Sequence, residues 1–188
     1  MDLNHYLGNV LSKPFRKVVT DKPRQIAFEV FTEVIRNGAY SNLLLPQRLL
    51  TSGLDQRDKA FITELVYGSI RQLGRNDYIA AKFSSKPWSE VDSSIVDCIR
   101  IGAYQLFDMR VPTHAAVDAT VNLARQVAGE SKATFVNAIM RKLAAADLDS
   151  HLNDVQDDSV HSLSIRYSHP EWIINSYRDF ISNVEELK

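Results

Sequence analysis

The sequence has a single cysteine and few residues that favour tight turns. One cysteine in 188 residues excludes an intramolecular disulfide framework and is typical of a reducing compartment. Seven glycines and six prolines are too few for a turn-rich all-β fold. No run approaches the roughly 20 apolar residues that span a bilayer. Residues 1–9 also lack the apolar core of a signal peptide. These absences predict a cytoplasmic protein without a membrane segment.

The motifs of common catalytic sites are also missing. There is no Gly-x-Gly-x-x-Gly, no P-loop and no Gly-x-Ser-x-Gly. Cys98 has no histidine at an activating spacing, which favours a packed thiol over a nucleophile. His114 and Asp118 lie four residues apart, but no second pair completes a metal site, so His114 is expected to cap or pack a helix. The residues therefore predict no catalytic, cofactor or metal site in this chain, and they leave open whether it is part of an enzyme.

Apolar residues recur at helical spacing along most of the chain. The widest stripe lies in Asp55–Arg75, which we predict to be the central helix, capped by Asp55 or Asp58 and kinked or ended at Gly74. Further helices are predicted at residues 24–37, at 40–50 with a break at Pro46, from Ser89 to 108, from Pro112 or Thr113 to Gly129, from Ser131 onward, and from 168–170 onward. No segment alternates with period two. The fold is predicted to be all-α, a bundle of about six to seven helices with a C-terminal helical extension.

The net charge of -1 hides an asymmetry along the chain. Residues 1–146 hold 19 Lys and Arg against 14 Asp and Glu, whereas residues 147–188 hold 3 against 9. Two parts of opposite sign suggest different partners. We therefore divide the chain into a basic extension (1–22), a helical domain (23–146), an acidic linker (147–166) and a segment around the last helix (167–188).

Basic residues of the first part form the candidate binding set. Its members are Arg16, Lys17, Lys22, Arg24, Arg71, Arg75, Arg125, Lys132, Arg141 and Lys142. Such side chains contact phosphates, and a helix N-terminus adds backbone N–H donors. The alternative is a solvated surface with ion pairs to Glu29, Glu33 and Glu64. The residues alone leave both interpretations open.

Several motifs, in order, resemble a known family. Arg24–Ala27, Gly38–Asn42 and Asp58–Gly68, with Arg71, resemble the NusB-like RNA-binding fold. Val111–Val117 and Phe135–Leu143 resemble more specifically the N-terminal domain of bacterial 16S rRNA cytosine-C5 methyltransferases of the Sun type. Tyr167–Trp172 resembles the segment through which those enzymes join their methyltransferase half. The likeness spans roughly residues 22–177.

The resemblance implies an RNA-binding role. In NusB-like proteins the N-terminal basic region contacts RNA, and this region corresponds here to Arg16, Lys17, Lys22 and Arg24. The catalytic half of the Sun-type enzymes binds S-adenosylmethionine and carries cysteines in Pro-Cys and Thr-Cys contexts, neither of which occurs here. The resemblance therefore implies that this chain is the N-terminal part of such an enzyme, or a protein that has lost its catalytic half, and that the cofactor and the chemistry belong to a missing C-terminal domain.

The implied function is docking of 16S rRNA for a tethered methyltransferase, without DNA specificity. A stand-alone transcription antitermination factor that binds RNA and a protein partner is the alternative, and the joining segment argues against it. A purely interdomain scaffold is a third hypothesis. Without the missing domain, Trp172 and its neighbours are expected to be partly uncovered, which predicts disorder or self-association there.

Overall fold

The structure is a computed structural model, and it describes residues 21–178. These residues form ten α-helices: α1 (Lys22–Asn37), α2 (Ser41–Thr51), α3 (Gln56–Arg71), α4 (Leu73–Ala81), α5 (Ser93–Phe107), α6 (Thr113–Ala128), α7 (Glu130–Leu143), α8 (Leu148–His151), α9 (Val160–Arg166) and α10 (Glu171–Arg178). A short 3-10 turn at Trp88–Glu90 precedes α5. No strand occurs in the described range, and the predicted all-α fold is confirmed.

Aspartates begin several of these helices. The carboxylates of Asp21, Asp55 and Asp92 accept hydrogen bonds from the backbone N–H groups of Arg24 (3.2 Å), Asp58 (2.8 Å) and Ser94 (3.0 Å), respectively. Each bond satisfies an N–H group that has no partner inside its helix. The predicted α1 is confirmed, because Asp21 caps it and Gly38 ends it with a φ of 67°.

Other helix boundaries differ from the prediction. Pro46 does not break α2, because the helix continues through Thr51 although proline cannot donate its backbone hydrogen bond. The break after α3 falls at Gln72 and not at Gly74, which lies inside α4. Ser89 does not cap α5, since it belongs to the 3-10 turn and Asp92 supplies the cap. Likewise, α7 begins at Glu130, one residue before the predicted cap.

The central helix of the bundle is α5, not α3. Helix α5 packs against α1, α3, α4, α6 and α7, whereas α3 packs against α1, α2 and α5. Nearly every α5 residue from Ile95 to Gln105 is buried. The prediction that Asp55–Arg75 is central was wrong because α5 also buries polar residues, which narrow its apolar stripe in the sequence.

A buried ion network explains the polar residues of α5. The Asp97 carboxylate is fully buried and accepts hydrogen bonds from Arg36 Nε (2.8 Å), Arg100 Nη1 (3.1 Å) and Thr32 Oγ1 (3.1 Å). Arg100 also donates to both carboxylate oxygens of Asp77, at 2.8 and 2.6 Å. A buried carboxylate needs such partners because its transfer from water is costly. The network joins α1, α4 and α5.

The acidic segment 147–166 packs against the bundle. His151, Leu152 and Val155 are buried, and His151 Nε2 lies 2.9 Å from the Leu143 carbonyl oxygen. Lys82 bridges to Asp154 at 2.6 Å, and α9 packs against α4. These residues contribute to the core, whereas the residues of a linker would make few contacts with the bundle.

Helix α10 leaves large side chains uncovered. Trp172 is 68% exposed and Tyr177 is 53% exposed, whereas Ile174 is buried. The predicted self-association through this segment stays a prediction. Within residues 21–178, no helix combines the length and the apolar character that crossing a bilayer requires.

Candidate nucleic-acid interface

Three adjoining grooves form a continuous path over α1, α3, α6 and α7. The first, of about 310 Å³, is lined by Asp21, Pro23, Arg24, Asp55, Arg57, Asp58 and Phe61. The second, of about 200 Å³, is lined by Asp21, Arg24, Ala119, Asn122, Leu123 and Gln126. The third, of about 230 Å³, is lined by Asp118, Val121, Asn122, Arg125, Glu130, Ala133, Thr134 and Asn137. Shared residues connect the three, and we call this path the α1–α6–α7 track.

Arg24 stands where the first two grooves meet. Its Nε donates to Gln105 Oε1 at 2.6 Å, and its Nη1 pairs with Asp21 Oδ2 at 2.5 Å. Its guanidinium lies over the Phe61 ring, 4.8 Å from the ring centroid. These contacts hold Arg24 in one orientation, so it forms part of the wall of the track as well as a source of positive charge.

The predicted basic entrance is described in part. Lys22 is exposed, and its Nζ donates to the Ser52 carbonyl at 2.7 Å, which places it beside the end of α2. Arg16 and Lys17 lie outside the described residues. Lys22 and Arg24 therefore share the start of α1, next to the first groove of the track.

Arg75 was wrongly included among the exposed cations. Arg75 is only 5% exposed, and its guanidinium forms an ion pair with Asp108 and donates a 3.2 Å hydrogen bond to Asn76 Oδ1. A guanidinium committed in this way has no free edge for a phosphate. Arg75 instead ties α4 to the end of α5.

Arg71, Arg141 and Lys142 are exposed, as predicted, but none of them lines the track. Within residues 21–178, Arg71 and Arg141 form no ion pair, and the Lys142 Nζ lies 5.9 Å from the centroid of the Phe83 ring. Glu64 and Asp77, the acidic residues nearest to Arg71 in the sequence, are engaged elsewhere, Glu64 by Tyr104 and Asp77 by Arg100.

Arg125 and Lys132 take part in surface ion pairs. Arg125 Nη1 donates to Asn122 Oδ1 at 2.6 Å, and Arg125 Nη2 donates to Glu130 Oε1 at 3.1 Å. Hydrogen bonding to Arg125 holds the pKa of Glu130 below its usual value. Lys132 pairs with Asp92. Exposed pairs of this kind contribute little to stability, so a phosphate could replace the carboxylate.

Sequence reasoning missed the neutral polar residues of the track. Gln126 and Asn137 line it, and neither side chain makes a hydrogen bond within the described part of the chain. Free amides can both donate to and accept from the edges of unpaired bases. Arg57, exposed at the first groove, was also missed. Nothing local in the sequence marks these residues, because they come together only when α1, α3, α6 and α7 pack.

The described residues include neither a group of metal ligands nor an activated thiol. Between residues 21 and 178, no three His, Cys, Asp or Glu side chains are grouped so that they could hold a metal ion. Burial, with a smaller contribution from Asp97, raises the pKa of the Cys98 thiol to about 12. A thiol that stays protonated at neutral pH is a poor nucleophile.

The comparisons with known proteins agree on one family. Residues 21–145 match the NusB family. A Ribosomal RNA small subunit methyltransferase B from Pseudomonas putida is 30% identical over 158 residues, which are 84% of this chain and 35% of that protein. A Mycobacterium tuberculosis protein provisionally named a methyltransferase is 35% identical over 168 residues, which are 87% of this chain and 37% of that protein.

These relatives are much longer than the part that is matched. The chain spans little more than a third of the length of these curated relatives, and it matches their N-terminal part. The solved structure of T. maritima NusB shares the fold, with a TM-score of 0.60 at 18% identity over 71% of this chain and 98% of that one. Because the family match covers more than half of its residues, the chain belongs to the NusB family.

Proposed function

We propose that this chain is an RNA-docking domain that binds 16S rRNA, mainly through phosphates, for an S-adenosylmethionine-dependent rRNA cytosine-C5 methyltransferase. The α1–α6–α7 track carries the proposal, because each of its three grooves holds an arginine, the exposed Lys22 lies beside the first groove, and free amides line the other two. Relatives named Ribosomal RNA small subunit methyltransferase B support the choice of RNA. The cofactor and the methyl transfer would belong to the catalytic domain and not to this chain.

The extent of the matches favours this role over a stand-alone antitermination factor. T. maritima NusB is matched over 98% of its length by only 71% of this chain. The family match ends at residue 145, whereas the alignments with the methyltransferase relatives cover 84% and 87% of the chain. Residues beyond the NusB fold are therefore shared with the longer relatives.

Each part of the proposed interface has a distinct role. Arg57 in the first groove would contact phosphates, together with Arg16, Lys17 and Lys22 of the basic extension, and Arg24 would hold the wall between the first two grooves. Arg125 and Lys132 would exchange their carboxylate partners for phosphates. Gln126 and Asn137 would face the bases. Docking of this kind raises the effective concentration of the target nucleotide at a tethered catalytic domain without adding chemistry.

The phosphate contacts are tested by the salt dependence of binding. We expect the Arg16→Gln, Lys17→Gln, Lys22→Gln triple variant to bind a 16S rRNA fragment more weakly. The slope of log affinity against log salt should fall by roughly 2, since each phosphate contact contributes about 0.7–0.9. Arg24 is kept, because its bonds to Gln105 and Asp21 make it structural.

The matched control also removes three positive charges, but at exposed positions outside the candidate binding set: Lys86→Gln, Arg110→Gln, Arg178→Gln. Its affinity and salt slope should stay close to those of the unsubstituted chain. Equal losses in both triple variants would show non-specific attraction to a polyanion. An unchanged affinity in the first variant would reject the basic entrance as an RNA contact.

The base contacts are tested separately. Gln126→Ala with Asn137→Ala should weaken binding of the same fragment while leaving the salt slope unchanged, because no charge is removed. A lower slope, or no loss of affinity, would remove α6 and α7 from the interface.

A further inference from the structure

A groove outside the track lies where the ends of α5 and α7 meet the starts of α6 and α8. Its volume is about 520 Å³. The apolar lining residues are Leu106, Phe107, Leu143, Ala144, Ala146 and Leu148, and the polar ones are Thr113, Asp147 and Asp149. None of these nine residues is basic. We call it the α5–α7 groove; its lining residues are mainly apolar, and the two aspartates are the only charged residues among them.

The two carboxylates of the groove form no ion pair within residues 21–178, although the His151 side chain acts electrostatically on Asp147. Asp147 accepts the backbone N–H of Ser150 at 2.9 Å and caps α8, and hydrogen bonding by Ser150 lowers the pKa of its carboxyl. Asp149 is exposed and makes no side-chain hydrogen bond or ion pair within residues 21–178. By contrast, Asp154 nearby in the sequence is bridged by Lys82. The groove therefore presents two carboxylates that form no ion pair with another described residue.

We propose that the α5–α7 groove binds a basic amphipathic peptide segment of a partner protein. Large apolar side chains of the peptide fill the cleft over Phe107 and Leu148, and neighbouring Lys or Arg side chains pair with Asp147 and Asp149. An apolar anchor with a few charges placed at the rim is a common mode of peptide recognition.

Charge and size argue against other occupants. None of the lining residues is basic, whereas each groove of the track holds an arginine, so the groove does not extend the RNA interface. A stable dimer buries about 800 Å² on each partner, whereas this cleft accommodates only a few side chains. A short peptide with complementary charge fits both observations.

A defined probe tests the proposal. The probe is a fluorescein-labelled 12-residue peptide with leucines at helical spacing and lysines elsewhere, and its partner probe has glutamate in place of every lysine. Fluorescence anisotropy with the full chain should show binding of the lysine peptide and none of the glutamate peptide. Binding of both to a similar extent would reject charge complementarity.

Substitutions then locate the binding site. Asp147→Asn with Asp149→Asn should weaken binding about five-fold and reduce its salt dependence, consistent with two exposed ion pairs. Asparagine caps helices as well as aspartate, so α8 should be retained. The matched control, Glu90→Gln with Asp157→Asn, removes two charges outside the groove and should leave binding unchanged. Equal losses in the two double variants would overturn the proposal.

A steric variant gives an independent check. Ala146 lines the groove and is exposed, so Ala146→Trp should obstruct the cleft without removing a buried contact. We expect loss of binding of the lysine peptide with an unchanged midpoint of urea unfolding. Full affinity in a folded Ala146→Trp variant would place the peptide elsewhere and overturn the proposal.

Discussion

Gly102 is a residue that the packing of three helices requires. A Cβ at this position would lie 2.6 Å from Thr120 Oγ1 and 2.8 Å from Met140 Cε, where α5 meets α6 and α7. Thr120 is buried and its hydroxyl donates to the Ala116 carbonyl at 2.7 Å, so it cannot yield easily. We predict that Gly102→Ala lowers the free energy of unfolding by about 1–3 kcal/mol, measured by urea denaturation.

Gly74 supplies the matched control for that substitution. A Cβ there would lie 3.4 Å from Ser168 Oγ, which is an ordinary contact, and alanine favours a helix more than glycine does. Gly74→Ala should therefore leave stability unchanged or raise it slightly. A Gly102→Ala variant as stable as Gly74→Ala would contradict the close packing of α5.

Cys98 should behave as a protected thiol. Burial raises its pKa to about 12, so at pH 8 the native protein should react with a thiol-specific reagent only as fast as the chain opens. In denaturant the same thiol should react at once. Fast reaction of the folded chain would show that the thiol is accessible.

The basic residues of the candidate set show how much of a site can be predicted from the sequence. Exposure of Arg71, Arg141 and Lys142 was predicted correctly, because charged residues on the polar side of an amphipathic helix face water. Arg75 was misjudged, since its burial depends on Asp108, a partner 33 positions away. Local spacing carries no information about such pairs.

At the scale of elements, α4 depends on a cap from a distant segment. Ser168 Oγ accepts hydrogen bonds from the backbone N–H groups of Gly74 (2.9 Å) and Arg75 (3.3 Å). Ser168 has a φ of 54°, a left-handed conformation that is uncommon outside glycine. This hydroxyl fixes the chain between α9 and α10 to the start of α4.

Removal of this cap should loosen both elements. We predict that Ser168→Ala costs about 0.5–2 kcal/mol and speeds hydrogen exchange of the Gly74 and Arg75 amides. Ser168→Gly separates the effects, because it lacks the hydroxyl but adopts the left-handed conformation without strain. Faster exchange in both variants would assign the effect to the hydroxyl, whereas normal exchange in Ser168→Gly would assign it to backbone strain.

Helix starts were predictable where the cap is local, and unpredictable where it is not. Asp21 and Asp55 lie directly before their helices, so the sequence contains the whole signal. Helix α4 lacks a local cap and takes one from Ser168, 94 positions from Gly74. The track could not be predicted from the sequence for the same reason, since its residues come together only after α1, α3, α6 and α7 have packed.

At the scale of the whole molecule, the family match and the physical core end at different places. The NusB match stops at residue 145, yet Leu152, Val155, Leu163 and Ile165 are buried beyond it. The His151 ring packs edge-on against Phe83 and Phe107, at 5.5 and 5.6 Å between centroids. Removal of this segment would uncover apolar surface that the bundle does not cover by itself.

A chain that ends at Ala146 tests whether the acidic segment is a linker or part of the core. Burial of one aliphatic side chain contributes about 1.5–3 kcal/mol as an upper bound, so we expect the shorter chain to lose about 3 kcal/mol or more of unfolding free energy.

Leu163→Ala in the full chain should lose about 2–5 kcal/mol of unfolding free energy, because Leu163 is 1% exposed. Urea denaturation followed by circular dichroism measures both. If the shorter chain unfolds at the same urea concentration as the full chain, residues 147–188 add nothing to the stability of the core and the linker prediction is right. If both variants are destabilised, the charge reversal near residue 147 does not mark a domain boundary, and the acidic segment belongs to the domain that would bind RNA.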